Sequence, residues 1–218
     1  MISKIYQAWL ALQAIYGNQG AFDEILRPGV DVWGLKTVNG ALTATPLGTV
    51  DWPMWESNFK VEPTEDPLFG PIHTGFRDAG NLAYAMLQPK FFSAKAAGLD
   101  IYIQGHSRGG SLADYVSAKC AQDMIEVHTA MFEAAPIGQQ KYIDWCASKV
   151  KEGMINVEIS TTNGIDPVPY SDDVLGYIPT YETANLDFPP PGAKRLIPTE
   201  WHMEDLIYEA MLTKYPNG

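Results

Sequence analysis

The sequence is short of four things, and each shortage excludes something. It has two cysteines in 218 residues. That is too few for a disulfide scaffold. Cys120 and Cys146, each in a helical pattern, read as small buried hydrophobes, with one bridge between them left open. No stretch approaches the roughly 20 apolar residues of a membrane span. Positive charge is scarce: 15 Lys and Arg stand against 26 Asp and Glu, for a net charge of −11. This balance argues against a nucleic-acid partner and against electrostatic docking on an anionic bilayer. There are four histidines. No His, Cys and Asp cluster has metal-ligand spacing, and no glycine loop followed by lysine is present to cradle a phosphate. No metal and no cofactor is implied.

What is present reads as a folded chain. Hydrophobic residues make up 46% of it, enough for one soluble domain with a sizeable core. Met1 to Gly17 is apolar but makes a poor signal peptide. Gln7 and Gln13 interrupt it, and no clear small-x-small cleavage site follows. Ile2, Ile5, Trp9, Leu12 and Tyr16 instead fit the stripe of an amphipathic helix, and a cytoplasmic location is favoured. Asn39-Gly40, between the apolar runs 30–38 and 41–47, predicts a hairpin. Residues 51–69 look irregular and aromatic-rich. A helix is expected from His73 through Leu87, with Ala83, Met86 and Leu87 apolar. A strand follows at 100–104, then a helix with Leu112, Val116, Cys120 and Met124 on one face. Next come a strand at 127–132, a helix at 139–151 and a strand at 156–161. This alternation predicts an α/β fold with a mostly parallel central sheet flanked by helices. The expected organisation is one domain over 1–218. Residues 1–29 form a helical segment packed on it, 171–198 a loop-rich insertion, and 202–212 a final helix.

The chemistry is concentrated in Gly105-His106-Ser107-Arg108-Gly109. It follows the buried-strand pattern Ile101-Tyr102-Ile103 and precedes a helical face. A serine on a sharp strand-to-helix turn needs glycine two positions either side, and the turn leaves its hydroxyl exposed. Asp166 and His202 follow in the order nucleophile, acid, base. The arrangement reads as a serine hydrolase.

Several segments together resemble the class 3 lipase family of α/β-hydrolases. Leu47-Gly48-Thr49 with Asp51-Trp52 resembles R-G-[ST]…D-W, and His73-Thr74-Gly75-Phe76 matches H-x-G-F. Gly105 to Gly110 matches G-H-S-L-G-G except at Arg108. Phe132-Glu133-Ala134-Ala135-Pro136 resembles F-G-x-P, with Glu133 in place of glycine. Asn163 to Pro169 resembles the N-x-x-D-x-V-P that carries the acid. The matches run in family order over roughly 30–205.

On this resemblance Ser107 is the nucleophile, His202 the base and Asp166 its carboxylate partner, with Asp172 and Asp173 as rivals to Asp166. The oxyanion hole combines the backbone N–H of Arg108 with that of Thr49. The Arg108 side chain either brings a cation to the site or points outward. His73 and His106 are expected in structural roles, and His128 as a satisfied core histidine. The implied activity is cleavage of a small-molecule or lipid ester through an acyl-enzyme, without stable membrane insertion. The same machinery also serves acyl transfer or amide hydrolysis, and a non-catalytic hydrolase-fold binding protein is the other class. The short, Pro-rich gap 50–72 predicts that no long amphipathic lid helix is present.

Overall fold

A computed structural model describes residues 4–48, 62–162, 175–182 and 184–185. The hairpin predicted at Asn39-Gly40 is formed. Both residues take positive φ, 52° and 80°, as a two-residue turn matched to strand twist requires. It joins β2 (Trp33–Val38) to β3 (Ala41–Pro46), paired from Val38↔Ala41 to Trp33↔Pro46. β1 (Glu24–Leu26) adds to the outer edge of β2. The sequence predicts a helical segment over 1–29, but α1 (Lys4–Gly17) ends well before β1. Three residues are too few to display a strand's alternation.

The remaining strands of the main sheet are parallel. β6 (Asp100–His106), β7 (Val127–Phe132), β8 (Ile155–Thr162) and β9 (Ala184–Asn185) follow β3 in the order β1-β2-β3-β6-β7-β8-β9. Between them run α2 (Thr74–Ala96), α3 (Arg108–Gln122) and α4 (Gln140–Lys151). Ile101 and Ile103 of β6 join Phe76, Leu87, Leu112 and Val116 in one core cluster. A smaller cluster of Ile15, Val32 and Leu47 sits under α1.

Several sequence expectations need correction. Residues 51–69 look irregular in sequence, yet β4 (Pro63–Asp66) within them pairs with β5 (Gly70–His73) in a second, two-stranded sheet. Asp66 closes its turn by accepting from the N–H groups of Leu68 and Phe69 at 2.8 and 2.9 Å. This is local side-chain chemistry that a periodicity count does not see. Leu112, Val116 and Cys120 are buried, but Met124 lies beyond the end of α3, is 60% exposed and has φ 57°. Met86 is also exposed, while the buried stripe of α2 runs on through Leu87, Phe91 and Ala94 past Pro89. Cys120 and Cys146 are free and buried. Burial pushes both thiols well above their ordinary pKa.

Asp114 on α3 is a buried carboxylate that ties down the segment 175–182. It accepts from the Tyr142 hydroxyl at 2.9 Å and the Thr180 hydroxyl at 2.5 Å. Burial outweighs these bonds and pushes its pKa up to about 6. A carboxyl group with a raised folded-state pKa stabilises most below its unfolded value, near 3.9, and loses that contribution as pH rises through about 6. The shift corresponds to about 3 kcal/mol. Asp114→Asn should therefore flatten the pH dependence of unfolding free energy between pH 4 and 7. Urea melts across that range check this, and an unchanged slope would contradict it.

Candidate active site

Ser107 stands between the last residue of β6 and the first of α3, with φ 55° and ψ −129°. A non-glycine residue is strained there and persists only where its surroundings over-determine it. Two hydrogen bonds and two close backbone approaches do so. The Ser107 N–H donates to Phe132 O of β7 at 2.9 Å, and its own carbonyl accepts from Ser111 N–H at 3.2 Å. A Cβ on Gly105 would collide with the Gly109 backbone, and one on Gly109 would fall 2.7 Å from Pro46 O. The two glycines expected on either side of the serine are thus required by close backbone approach, one across the turn and one against β3.

Arg108 departs from both sequence expectations. Its side chain neither brings a free cation to the site nor points outward. It is wholly buried against Asp31, with Nε–Oδ1 at 2.9 Å and a second guanidinium bond to Oδ2 at 3.1 Å. The guanidinium also lies 5.6 Å from the centre of the Phe76 ring. A fully buried arginine demands a paired carboxylate. The sequence shows the arginine but neither its burial nor the acid that answers it, and Asp31, 77 residues away, emerges only from the fold. The Arg108 backbone N–H remains at the first position of α3, beside Ser107.

The approach to Thr49 can be followed as far as Gly48. β3 ends at Pro46, and Leu47 N–H donates to Val32 O at 2.9 Å. A Cβ on Gly48 would fall 3.2 Å from His106 O. The chain leading to Thr49 thus passes beside the elbow on the β3 side. On the other side, β8 leads from Thr162 toward Asp166. Thr49, Asp166, Asp172, Asp173 and His202 lie outside the described residues, as do segment 50–61, most of 171–198 and residues 202–212, where a final helix is expected from sequence. Ser107 and Arg108 are the two assigned residues that the structure places together.

The other three histidines have partners of their own. His73 is buried and caps α2, its Nδ1 accepting from Phe76 N–H at 3.4 Å. His106 is buried behind the elbow, with Nδ1 3.2 Å from the Tyr16 hydroxyl of α1. His128 corrects the expectation of a core histidine. It is partly exposed, stacked on Tyr102 at 4.6 Å, and its Nδ1 lies 2.7 Å from Glu158 Oε1. The acid that seemed absent near His128 in sequence comes from the next strand. Among the described residues no group of three or more His, Cys, Asp or Glu converges as a metal site, and no described helix is long and apolar enough to cross a membrane.

Comparison with known proteins agrees with this geometry. The family profile "Lipase (class 3)" matches residues 45–173, which include the elbow and more than half of the chain. A fungal lipase–inhibitor complex, studied as a model for interfacial activation, superposes with a TM-score of 0.66 at 15% identity, covering 81% of this chain and 76% of that one. Rhizomucor miehei triacylglyceride lipase gives 0.61 at 14% identity, covering 79% and 74%. A mono- and diacylglycerol lipase from Aspergillus oryzae gives 0.57 at 15% identity, covering 74% and 60%. A search of curated proteins finds no match. At these identities the superpositions speak for the fold, and the profile speaks for the family. The chain belongs to the class 3 lipases, carboxylic-ester hydrolases of the α/β-hydrolase fold.

Proposed function

We propose that this enzyme cleaves carboxylic esters through a Ser107–His202–Asp166 triad and an acyl-enzyme. The observation that carries the reading is the strained backbone of Ser107, held at the C-terminal end of β6 with its N–H bonded to Phe132. Such strain persists where it aims a side chain at chemistry. The Ser107 Oγ attacks the ester carbonyl, and its proton passes to His202. Asp166 holds the imidazole in the correct tautomer and stabilises the imidazolium. The backbone N–H groups of Arg108 and Thr49 receive the oxyanion, where donors set in advance of the reaction contribute most. Collapse of the tetrahedral intermediate expels the alcohol, which takes the proton back from His202. Water, deprotonated by His202, then attacks the acyl-enzyme, releases the acid and restores Ser107. His202 is favoured as base because His73, His106 and His128 are engaged elsewhere.

The substrate we favour is a soluble short- or medium-chain acyl ester. The support lies in the end of segment 50–72. There Pro63, Pro67 and Pro71 belong to the β4–β5 hairpin, which is not a helix that swings. Insertion 171–198, between acid and base, belongs to the same domain on this reading, and Asp114 anchors part of it through Thr180. A p-nitrophenyl ester series from acetate to palmitate, with a triglyceride emulsion beside it, tests the preference. Rates should rise smoothly through the solubility limit and be highest for short and medium chains. A jump at the solubility limit, or a preference for long-chain emulsions, would contradict the reading.

A further inference from the structure

Residues 175–182 cross the C-terminal side of the sheet as a strap with no α-helix or extended strand of its own. An isolated antiparallel bridge joins Ile178 to Gly138, with the Ile178 N–H donating to Gly138 O at 3.2 Å. Gln139 Nε2 donates to Leu175 O at 2.9 Å. Tyr177 is buried, its ring 5.8 Å from that of His73, whereas Leu175 and Ile178 are exposed. At the far end the Thr180 hydroxyl donates to Asp114 of α3. Segments with few buried contacts and exposed backbone bonds open at free energies below that of global unfolding. Beneath the strap a narrow crevice runs between Asp114, Ala134, Pro136, Thr161, Thr180 and Tyr181. It abuts the first turn of α3, where Ser111 Oγ donates to Ala135 O at 2.8 Å and the Ser111 N–H donates to the Ser107 carbonyl.

The strap closes on a buried carboxyl group, and the groups that face Asp114 are neutral. They are the Tyr142 phenol and Cys146 thiol of α4, and the Thr180 hydroxyl and Tyr181 phenol of the strap itself. Burial pushes the two phenols and the thiol well above their ordinary pKa. Between pH 4 and 8 Asp114 is therefore the group of this cluster that titrates. Among the described residues no lysine, arginine or histidine pairs with it. Glu133 stands across the crevice, in the loop after β7, and accepts from the Thr161 hydroxyl at 3.3 Å. A buried carboxylate with hydroxyl partners and no cation is costly when charged. Opening the strap relieves that cost, because water then reaches the carboxylate.

We propose that residues 175–182 are a pH-released flap, closed over the crevice beside the elbow while Asp114 is protonated and opening locally as Asp114 ionises. The proposal stands on Asp114 and the strap, and it holds whichever residues complete the catalytic machinery. Closed, the Asp114 carboxyl has its pKa pushed up by burial to about 6. Open, it is hydrated and ordinary, near 3.9. Below about pH 4 the group is neutral in both forms, and the flap is at its tightest. From about pH 4 to 6 each pH unit favours the open form about tenfold, and above that the gain levels off at about 10². Access to this side of the elbow is thereby graded by pH.

The test is amide hydrogen exchange of the full chain from about pH 4 to 8, read by mass spectrometry and corrected for the pH dependence of free-amide exchange. In wild type, peptides spanning 175–182 should lose about 10² in protection between pH 4 and 7. At every pH they should exchange faster than peptides from α3, which report global unfolding. Asp114→Asn removes the titrating group at nearly the same size, and strap protection should become flat with pH. Thr180→Val removes a hydrogen bond that favours the charged carboxylate. It should raise the closed-state pKa and widen the span beyond the wild-type value, and it carries the comparison if Asp114→Asn does not fold. Wild-type strap protection that is flat from pH 4 to 7 overturns the proposal. Equal exchange of strap and α3 peptides also overturns it, since exposure would then come by global unfolding. An Asp114→Asn profile that still follows wild type overturns it by assigning the release to another group, with Glu133 the next to test.

Discussion

Ser107→Ala should reduce ester hydrolysis by roughly 10⁵ to 10⁶ in kcat and leave the folded structure in place. On the proposed mechanism the hydroxyl is the group that forms the acyl bond, and alanine supplies nothing in its place. The backbone strain at φ 55° is the same for alanine as for serine. The turn is held by the Ser107 N–H bond to Phe132 and by backbone approach at Gly105 and Gly109, which the substitution does not touch. Initial rates on p-nitrophenyl butyrate, with circular dichroism melts of the same preparation, check both halves. More than a few per cent of activity in a pure, folded sample would remove Ser107 as nucleophile.

The second large effect concerns stability. Asp31→Ala should cost about 3–5 kcal/mol, because it leaves the Arg108 guanidinium buried without its carboxylate. Against a total of about 5–15 kcal/mol for a typical domain, that loss is close to unfolding. The double change Asp31→Leu with Arg108→Leu should behave very differently. Two apolar side chains filling a buried pair's place are often neutral or stabilising, and leucine is the residue that the family pattern carries beside the nucleophile. Urea melts of both variants test the contrast. The double variant should also keep most of its activity, since the oxyanion donor proposed above is the backbone N–H of residue 108 and the buried side chain only anchors it. A cost below about 1 kcal/mol for Asp31→Ala would show that water reaches the guanidinium.

The elbow was readable from sequence because its constraints are local. A serine in left-handed backbone geometry between two glycines leaves a five-residue signature, and the strand before it and helix after it leave their own periodicities. The parallel core of the sheet followed from the same patterns: β6, β7 and β8 lie within a residue or two of their expected positions. What sequence did not show depends on partners distant in the chain. The Arg108–Asp31 pair spans 77 residues and the His128–Glu158 pair 30, and neither spacing has a periodic signal. The β4–β5 hairpin was missed because Asp66 makes its turn and its strands are four residues each. Met124 was misplaced because an i, i+4 pattern continues past a helix that has already ended at Gln122. Glu133 was visible as a departure from a family pattern, but its burial and its contact with Thr161 required the fold.

The most direct measurement of the central claim is covalent labelling. A fluorophosphonate reacts with a serine whose hydroxyl is activated by an adjacent base and whose phosphoryl oxygen finds an oxyanion hole. Incubating the native enzyme with an alkyl fluorophosphonate, digesting it and sequencing the adduct by mass spectrometry should place one stoichiometric label on Ser107, with loss of activity in proportion to labelling and no label on heat-unfolded protein. A label on another residue, or ester hydrolysis that persists in fully labelled enzyme, would contradict the account.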